Sequence, residues 1–354
     1  MAKALSSLAA GALVKDTGTL YNGKAIVWKI ADKNHAGYPA NSVTLITERI
    51  ISLKCFDAKD SGNSDGNRKS YGNNRWIYAN IRQWLNSQAA AGQWYSAQHG
   101  QDAPPSNANV WDNYNEYQQE AGFLAGFSAN FLAALLTTTH TVGKAQVDGG
   151  GTESCTDKIF LATCTEVGLS GDVTAGSKLA IFSNDASRQA KPTAEAVSKS
   201  EYTNSSLNAN SPWYWWLADA YASYSYGVRS VYSSGALNWD NAYVGTRGVR
   251  PLCYLKYGTA PPPPRPQSRS RRRCAAGPPL KLAGGPPPTR TGTCRGTFWS
   301  VRTTAEAGRR STRESTGITR TISPLVGQAL HTGSGPTTAR ARNRPTPQAR
   351  PEPW

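Results

Sequence analysis

The chain has 354 residues and a formal net charge of +16, but residues 1–257 carry 22 Lys and Arg against 20 Asp and Glu, and residues 258–354 carry 17 against 3. The near-neutral first part holds 9 of the 11 tryptophans and is long enough for one substantial core, which excludes a basic nucleic-acid-binding surface as its main character. No apolar run reaches the ~18 residues of a membrane span, and the N-terminal stretch, with its apolar run broken by Ser6, Ser7 and Gly11, makes a poor signal peptide.

In chain order, residues 11–31 read as strand, turn and strand, with Asn22-Gly23 as the hairpin signal and Ile26, Trp28 and Ile30 on one buried face. Residues 41–56 hold two more β-branched runs. Residues 57–74, rich in Asp, Ser, Gly, Asn and Lys, read as an exposed loop. Residues 74–87 read as a helix capped by Asn74, with Ile77, Ile81, Trp84 and Leu85 on its core face. Residues 123–136 read as a second, buried helix. Residues 158–162 read as a short buried strand, and residues 165–169 as one helical turn. Short strands, two helices and long loops predict an α+β domain over residues 1–257, without G-x-G-x-x-G or Walker A loops.

The stretch 211–255 has the composition of a binding region. A rigid aromatic strand (Trp213-Tyr214-Trp215-Trp216-Leu217) opens it and a second strand (residues 248–255) closes it. Between them the residues are mostly Tyr, Ser, Ala, Asn, Asp and Gly, which supply contact area and adaptable hydrogen bonding at low entropic cost. Alternation predicts Trp213, Trp215 and Leu217 in the core, with Tyr214 and Trp216 on the opposite face. Arg229 and Arg250 are expected to be structural forks to backbone carbonyls or a buried carboxylate.

Cys55, Cys155, Cys164 and Cys253 form no C-x-x-C pair, so a zinc site has no support. Buried free thiols and a Cys155–Cys164 disulfide are both compatible with the spacing. No reactive cysteine or His/Asp/Ser constellation is readable, so the expectation is a protein that is not an enzyme and has no cofactor or metal. The oxygen-rich Asn238-Trp239-Asp240-Asn241 keeps a calcium-dependent lectin among the alternatives. Residues 258–354 are expected to be disordered. They contain PPPP, RSRRR and PPP runs and use 16 Arg against 1 Lys, where residues 1–257 use 8 Arg and 14 Lys. A frameshifted or read-through extension and an Arg-rich nucleic-acid-binding arm are the two readings of this tail.

The ordered motifs IRQWLN (81–86), DKIFLATCTEV (157–167), WYWWL (213–217), VRSVYSSGAL (228–237) and GVRPLCYL (248–255) carry a resemblance over about residues 10–257. They resemble a domain family of gut bacteria and their phages, similar to the C-type-lectin fold in the version shared with formylglycine-generating enzymes. Members include variable proteins of diversity-generating retroelements. The family typically follows WWL with Arg, Ser or Thr and then Pro, and here Ala218, Asp219 and Ala220 stand instead. The resemblance implies diversification by adenine replacement, which turns an Asn codon into Tyr, Ser, Asp, Gly, Thr, Ala or Val codons. Ser225, Gly227 and Asn241 also fit that pattern. The expected ligand-binding set is Asp219, Tyr221, Ser223, Tyr224, Tyr226, Asn238, Trp239, Asp240, Tyr243, Val244 and Thr246. The implied function is non-enzymatic recognition of a cell-surface protein or glycan receptor by a phage-tail or bacterial-surface adhesin, with a homo-oligomer on a virion as one compatible arrangement. A structural virion protein and a formylglycine-generating-type enzyme are the alternatives.

Overall fold

A computed structural model describes residues 5–257 and 300–302. Thirteen strands are present among them: β1 (Leu13–Tyr21), β2 (Lys24–Lys33), β3 (Ser42–Thr47), β4 (Ser52–Leu53), β5 (Thr138–Gly143), β6 (Thr152–Asp157), β7 (Ile159–Phe160), β8 (Trp215–Ala220), β9 (Gly227–Val231), β10 (Leu237–Asn241), β11 (Gly248–Val249), β12 (Leu252–Lys256) and β13 (Ser300–Arg302). Five short helices accompany them: α1 (Gly66–Tyr71), α2 (Asn80–Leu85), α3 (Ala129–Ala134), α4 (Asp185–Arg188) and α5 (Ala194–Ser198). The domain is α+β, with more and shorter helices than the two expected.

One sheet is antiparallel throughout, in the order β13-β1-β2-β3-β12-β7. Its first turn follows from local chemistry. Asn22 and Gly23 both take positive φ (51° and 74°), the mirror-image turn whose twist matches the strands it joins. Along β2, Ile26, Trp28 and Ile30 are buried and Val27 is exposed, as alternation requires. A bulge in β1 lets the Asp16 carboxylate accept from Thr19 Oγ1 (2.7 Å) and from Ser128 Oγ. Ser128 in turn accepts from the Phe131 amide and caps α3.

The second sheet, β10-β9-β8-β11-β4, carries the aromatic motif at its centre. All six residues of β8 are buried, so the strand is covered on both faces. Trp216, expected on a solvent-facing side, lies in the core against Phe56. Its indole Nε1 donates to the Lys54 carbonyl at 2.9 Å, Trp215 donates to Arg188 (3.1 Å) and Trp213 to Thr246 (2.8 Å). Three buried rings thus satisfy three backbone carbonyls, one of them at the end of α4. A ribbon of β5 and β6 stands apart.

Both predicted helices are interrupted. Residues 76–78 form a 3-10 turn, Ala79 is extended (φ −62°, ψ 132°), and α2 starts after it. The cause is Asp57, whose buried carboxylate takes the Asn80 and Asn73 amides (2.9 and 3.0 Å). Asn74 caps nothing here, because its side chain is engaged elsewhere. The second helix likewise splits into a 3-10 turn (Phe123–Gly126) and α3, with Ser128 as the new cap. Residues 57–74 are not the exposed loop expected. They contain α1, and Asp57, Asp60, Asn73 and Asn74 are buried.

The expected disordered tail lies outside the described residues except for Ser300–Arg302, which pairs with β1 from Leu13 to Lys15.

Candidate ligand-binding surface

The candidate surface is built at the β10 edge of the second sheet. β8 ends at Ala220, the chain turns through residues 221–226, and β9 and β10 follow as a hairpin in which Arg229 lies opposite Trp239. Directly opposed residues share a face, and Arg229, Trp239 and Tyr221 meet there. The Arg229 guanidinium lies 4.2 Å from the Tyr221 ring centre and holds Asp172 with two 2.7 Å hydrogen bonds. The fork is present but closes on the carboxylate of an exposed residue where a buried one was expected, and it props an aromatic ring. Arg250 is buried and donates through Nε to the single Thr47 carbonyl (3.0 Å), so it reaches backbone as expected but by one bond and without a fork.

Around Trp239 the rings form a contiguous row. Trp239 lies 5.2 Å from Tyr221 and 5.1 Å from Tyr224, and Tyr224 stacks on Tyr226 at 5.3 Å. Tyr226 continues to Tyr71 (5.0 Å), Tyr71 to Tyr243 (5.7 Å), and Lys59 Nζ lies 5.6 Å from the Tyr243 ring centre. Tyr224 is 41% exposed and Ser223 is exposed, while Tyr221, Tyr226, Asn238, Trp239, Asp240 and Tyr243 are half-buried. The row presents ring area to solvent on a scaffold that holds each ring at its base. Partial burial, with the neighbouring phenols contributing less, raises the pKa values of Tyr226 and Tyr243, so these hydroxyls stay neutral around pH 7.

The turn itself is fixed. The Tyr221 amide donates to the Gly227 carbonyl (2.8 Å), and Asn74 Nδ2 donates to Tyr224 (2.6 Å) and Gly227 (2.9 Å). Arg68 donates through Nε to the Ser225 carbonyl (3.0 Å) and pairs through Nη2 with Asp148 at 2.5 Å. A Cβ on Gly227 would stand 3.1 Å from the Trp239 ring and 3.2 Å from Tyr221 Cβ, so the row closes around a residue without a side chain.

Three expected contact residues belong instead to the interior. Asp219 is buried, and its carboxylate accepts the Gly143 amide (2.8 Å) and the Cys164 amide (2.6 Å). Val244 and Thr246 are buried at 7% and 3% exposure. Asp219 lies in the buried strand β8, and Val244 and Thr246 lie in the connection from β10 to β11, which packs inward, so membership of the stretch did not mean exposure. Conversely, Tyr71, Lys59 and Arg229 join the surface unforeseen. Tyr71 comes from a polar stretch about 150 positions upstream of Tyr226, with no local pattern to mark it.

Asn238, Trp239, Asp240 and Asn241 alternate along β10 and do not converge, and Asp240 pairs with Arg247. Among the described residues no group of three or more His, Cys, Asp or Glu side chains is placed to hold a metal ion. Cys55, Cys155, Cys164 and Cys253 are buried free thiols, so no Cys155–Cys164 disulfide forms. Burial raises all four thiols, Cys155 to about 12. Among the described residues no helix is long and apolar enough to cross a membrane.

Fold and surface define an α+β domain with a framed aromatic face. The chain belongs to the family described as Domain of unknown function (DUF6273), which matches residues 41–257. No curated protein and no solved structure matches the chain significantly.

Proposed function

We propose that this protein is a non-enzymatic recognition protein of C-type-lectin-like fold, displayed on a phage tail or bacterial surface, that binds a cell-surface receptor through the Tyr221–Tyr243 face. The observation that carries this reading is the contiguous, partly exposed ring row from Tyr221 to Tyr243 on a strand pair anchored by buried indoles. Rigid aromatic area with Ser and Asn beside it is the composition of binding hot spots, and ordering it costs little further entropy because the turn is already hydrogen-bonded. The fold reading is supported by short strands, by long loops between β4 and β5 and between β7 and β8, and by the return of β12 into the sheet begun by β1–β3.

Diversification of this face is part of the proposal, restricted to the outward positions Tyr221, Ser223, Tyr224, Tyr226, Asn238, Asp240 and Tyr243. The test compares surface binding of the labelled chain with its Tyr224→Ser and Trp239→Ala variants on a panel of gut bacterial strains. Each variant is expected to bind its strain at least tenfold more weakly or to change strain preference. Unchanged binding by both folded variants contradicts the reading and favours a structural virion component.

A further inference from the structure

Beyond the ring row lies a groove that the recognition face does not use. It runs between residues 202–214 on one side and Tyr232, Ser233 and Arg247 on the other, with a volume of about 600 Å³, and adjoins a smaller hollow of about 340 Å³. The two share Tyr202 and Arg247. The hollow reaches Trp111 and Tyr243, so the groove ends beside the far end of the ring row, away from Tyr224.

The chemistry of this groove is narrow. Tyr214 and Tyr232 meet edge to face (4.5 Å, 85°) and make an aromatic corner, and Tyr232 is 40% exposed. Tyr202 adds a third ring, 5.2 Å from Tyr114. The rim supplies hydroxyls and amides, including Asn204, Ser211 and Ser233. The charges cancel: Arg247 lies 4.3 Å from the Tyr214 ring centre and pairs with Asp240. Among the described residues that line the groove, Pro212 alone is aliphatic, so an apolar peptide anchor finds no pocket. Ring faces, many neutral donors and acceptors, and no net charge match a ligand with apolar C–H faces and a dense edge of hydroxyls.

We infer that this groove is a binding subsite for a neutral linear oligosaccharide, whose pyranose rings stack along Tyr202, Tyr214 and Tyr232 while its hydroxyls bond to the Asn204 and Ser233 rim. The inference rests on the recognition reading and names the ligand class for a surface beside the variable face. A track of successive rings suits a chain of repeating units, and cell surfaces present such chains multivalently.

The experiment titrates the full chain with five hexasaccharides, built of β-1,4-glucose, α-1,4-glucose, β-1,3-glucose, α-1,6-mannose and β-1,4-N-acetylglucosamine. A hexagalacturonate and a Tyr/Trp-containing decapeptide serve as comparisons. Tryptophan fluorescence and ligand-observed NMR at up to about 10 mM register millimolar complexes. The proposal expects at least one neutral hexasaccharide to bind. It expects Tyr232→Ala and Asn204→Ala, both at exposed positions, to raise its Kd at least fivefold, and Tyr224→Ser to leave it within twofold. Absence of binding by all five neutral sugars overturns the proposal. So does binding of hexagalacturonate or the peptide alone, or binding insensitive to both groove variants. If the groove variants are silent while Tyr224→Ser and Trp239→Ala still change strain binding, recognition stands without the groove. The converse result leaves the groove standing and removes the variable face.

Discussion

The buried side-chain amide of Asn74 reaches the Tyr224 carbonyl at 2.6 Å and the Gly227 carbonyl at 2.9 Å, so a residue 150 positions upstream fixes both ends of the recognition turn. The turn is therefore part of the frame even though its side chains face out.

Replacing Asn74 with Ala leaves the Tyr224 carbonyl without its donor and the Gly227 carbonyl with the Tyr221 amide alone. A buried polar group left unpaired costs about 1–3 kcal/mol. Asn74→Ala is expected to destabilise the domain by that order and to raise amide exchange over residues 221–227 more than over β1–β3. Urea denaturation and hydrogen-exchange mass spectrometry check both.

Asp219 and Tyr224 were drawn from the same stretch of sequence and should behave oppositely. Asp219 accepts two buried amides, and Asp219→Ala is expected to cost on the order of 2–4 kcal/mol. Tyr224→Ser, at a 41% exposed position, is expected to change stability by less than about 1 kcal/mol. Denaturant midpoints of the two variants decide this.

The contrast shows what the sequence made legible and why the rest was hidden. The Asn22-Gly23 hairpin was readable because its turn chemistry is local. The core face of β2 was readable because one side of the strand is covered and alternation survives. Trp216 was misplaced because β8 is the middle strand of its sheet, buried on both faces, where alternation carries no signal. The helix over 74–87 breaks because a distant carboxylate, Asp57, claims the Asn80 amide, a tertiary contact outside any local window. Tyr71 was invisible for the same reason, since only the fold brings it to Tyr226 and Tyr243.

Burial raises the Asp60 carboxyl to about 6, and burial followed by the charges of Asp60 and Asp102 raises Asp57 well above the carboxylate range. An unfolded Asp titrates near ~3.9, so the native state here prefers the protonated form. That contribution to stability is fully present below about pH 4 and is lost as pH rises through about 6. Relative to Asp60→Asn, the wild-type chain is expected to lose on the order of 2–3 kcal/mol between about pH 4 and about pH 7. Urea melts of both proteins across that range give the difference, and parallel curves would refute the assignment.

The four buried thiols are expected to be chemically silent. In a Cys274→Ser/Cys294→Ser background, the native chain should show no rapid reaction with a disulfide reagent and four equivalents after unfolding. Rapid labelling of one native thiol would point to an activated cysteine and revive the enzyme alternative.

The central claim is that the outward ring row is the working surface and that the strands beneath it are its fixed frame. It is tested most directly, with no knowledge of the ligand, by deep sequencing of the gene across a natural population. The account predicts substitutions at adenine-derived codons concentrated at Tyr221, Ser223, Tyr224, Tyr226, Asn238, Asp240 and Tyr243, with Trp215, Trp216, Asp219, Val244 and Thr246 constant. A uniform low rate across the gene, or variation that falls equally on the buried positions, would contradict it.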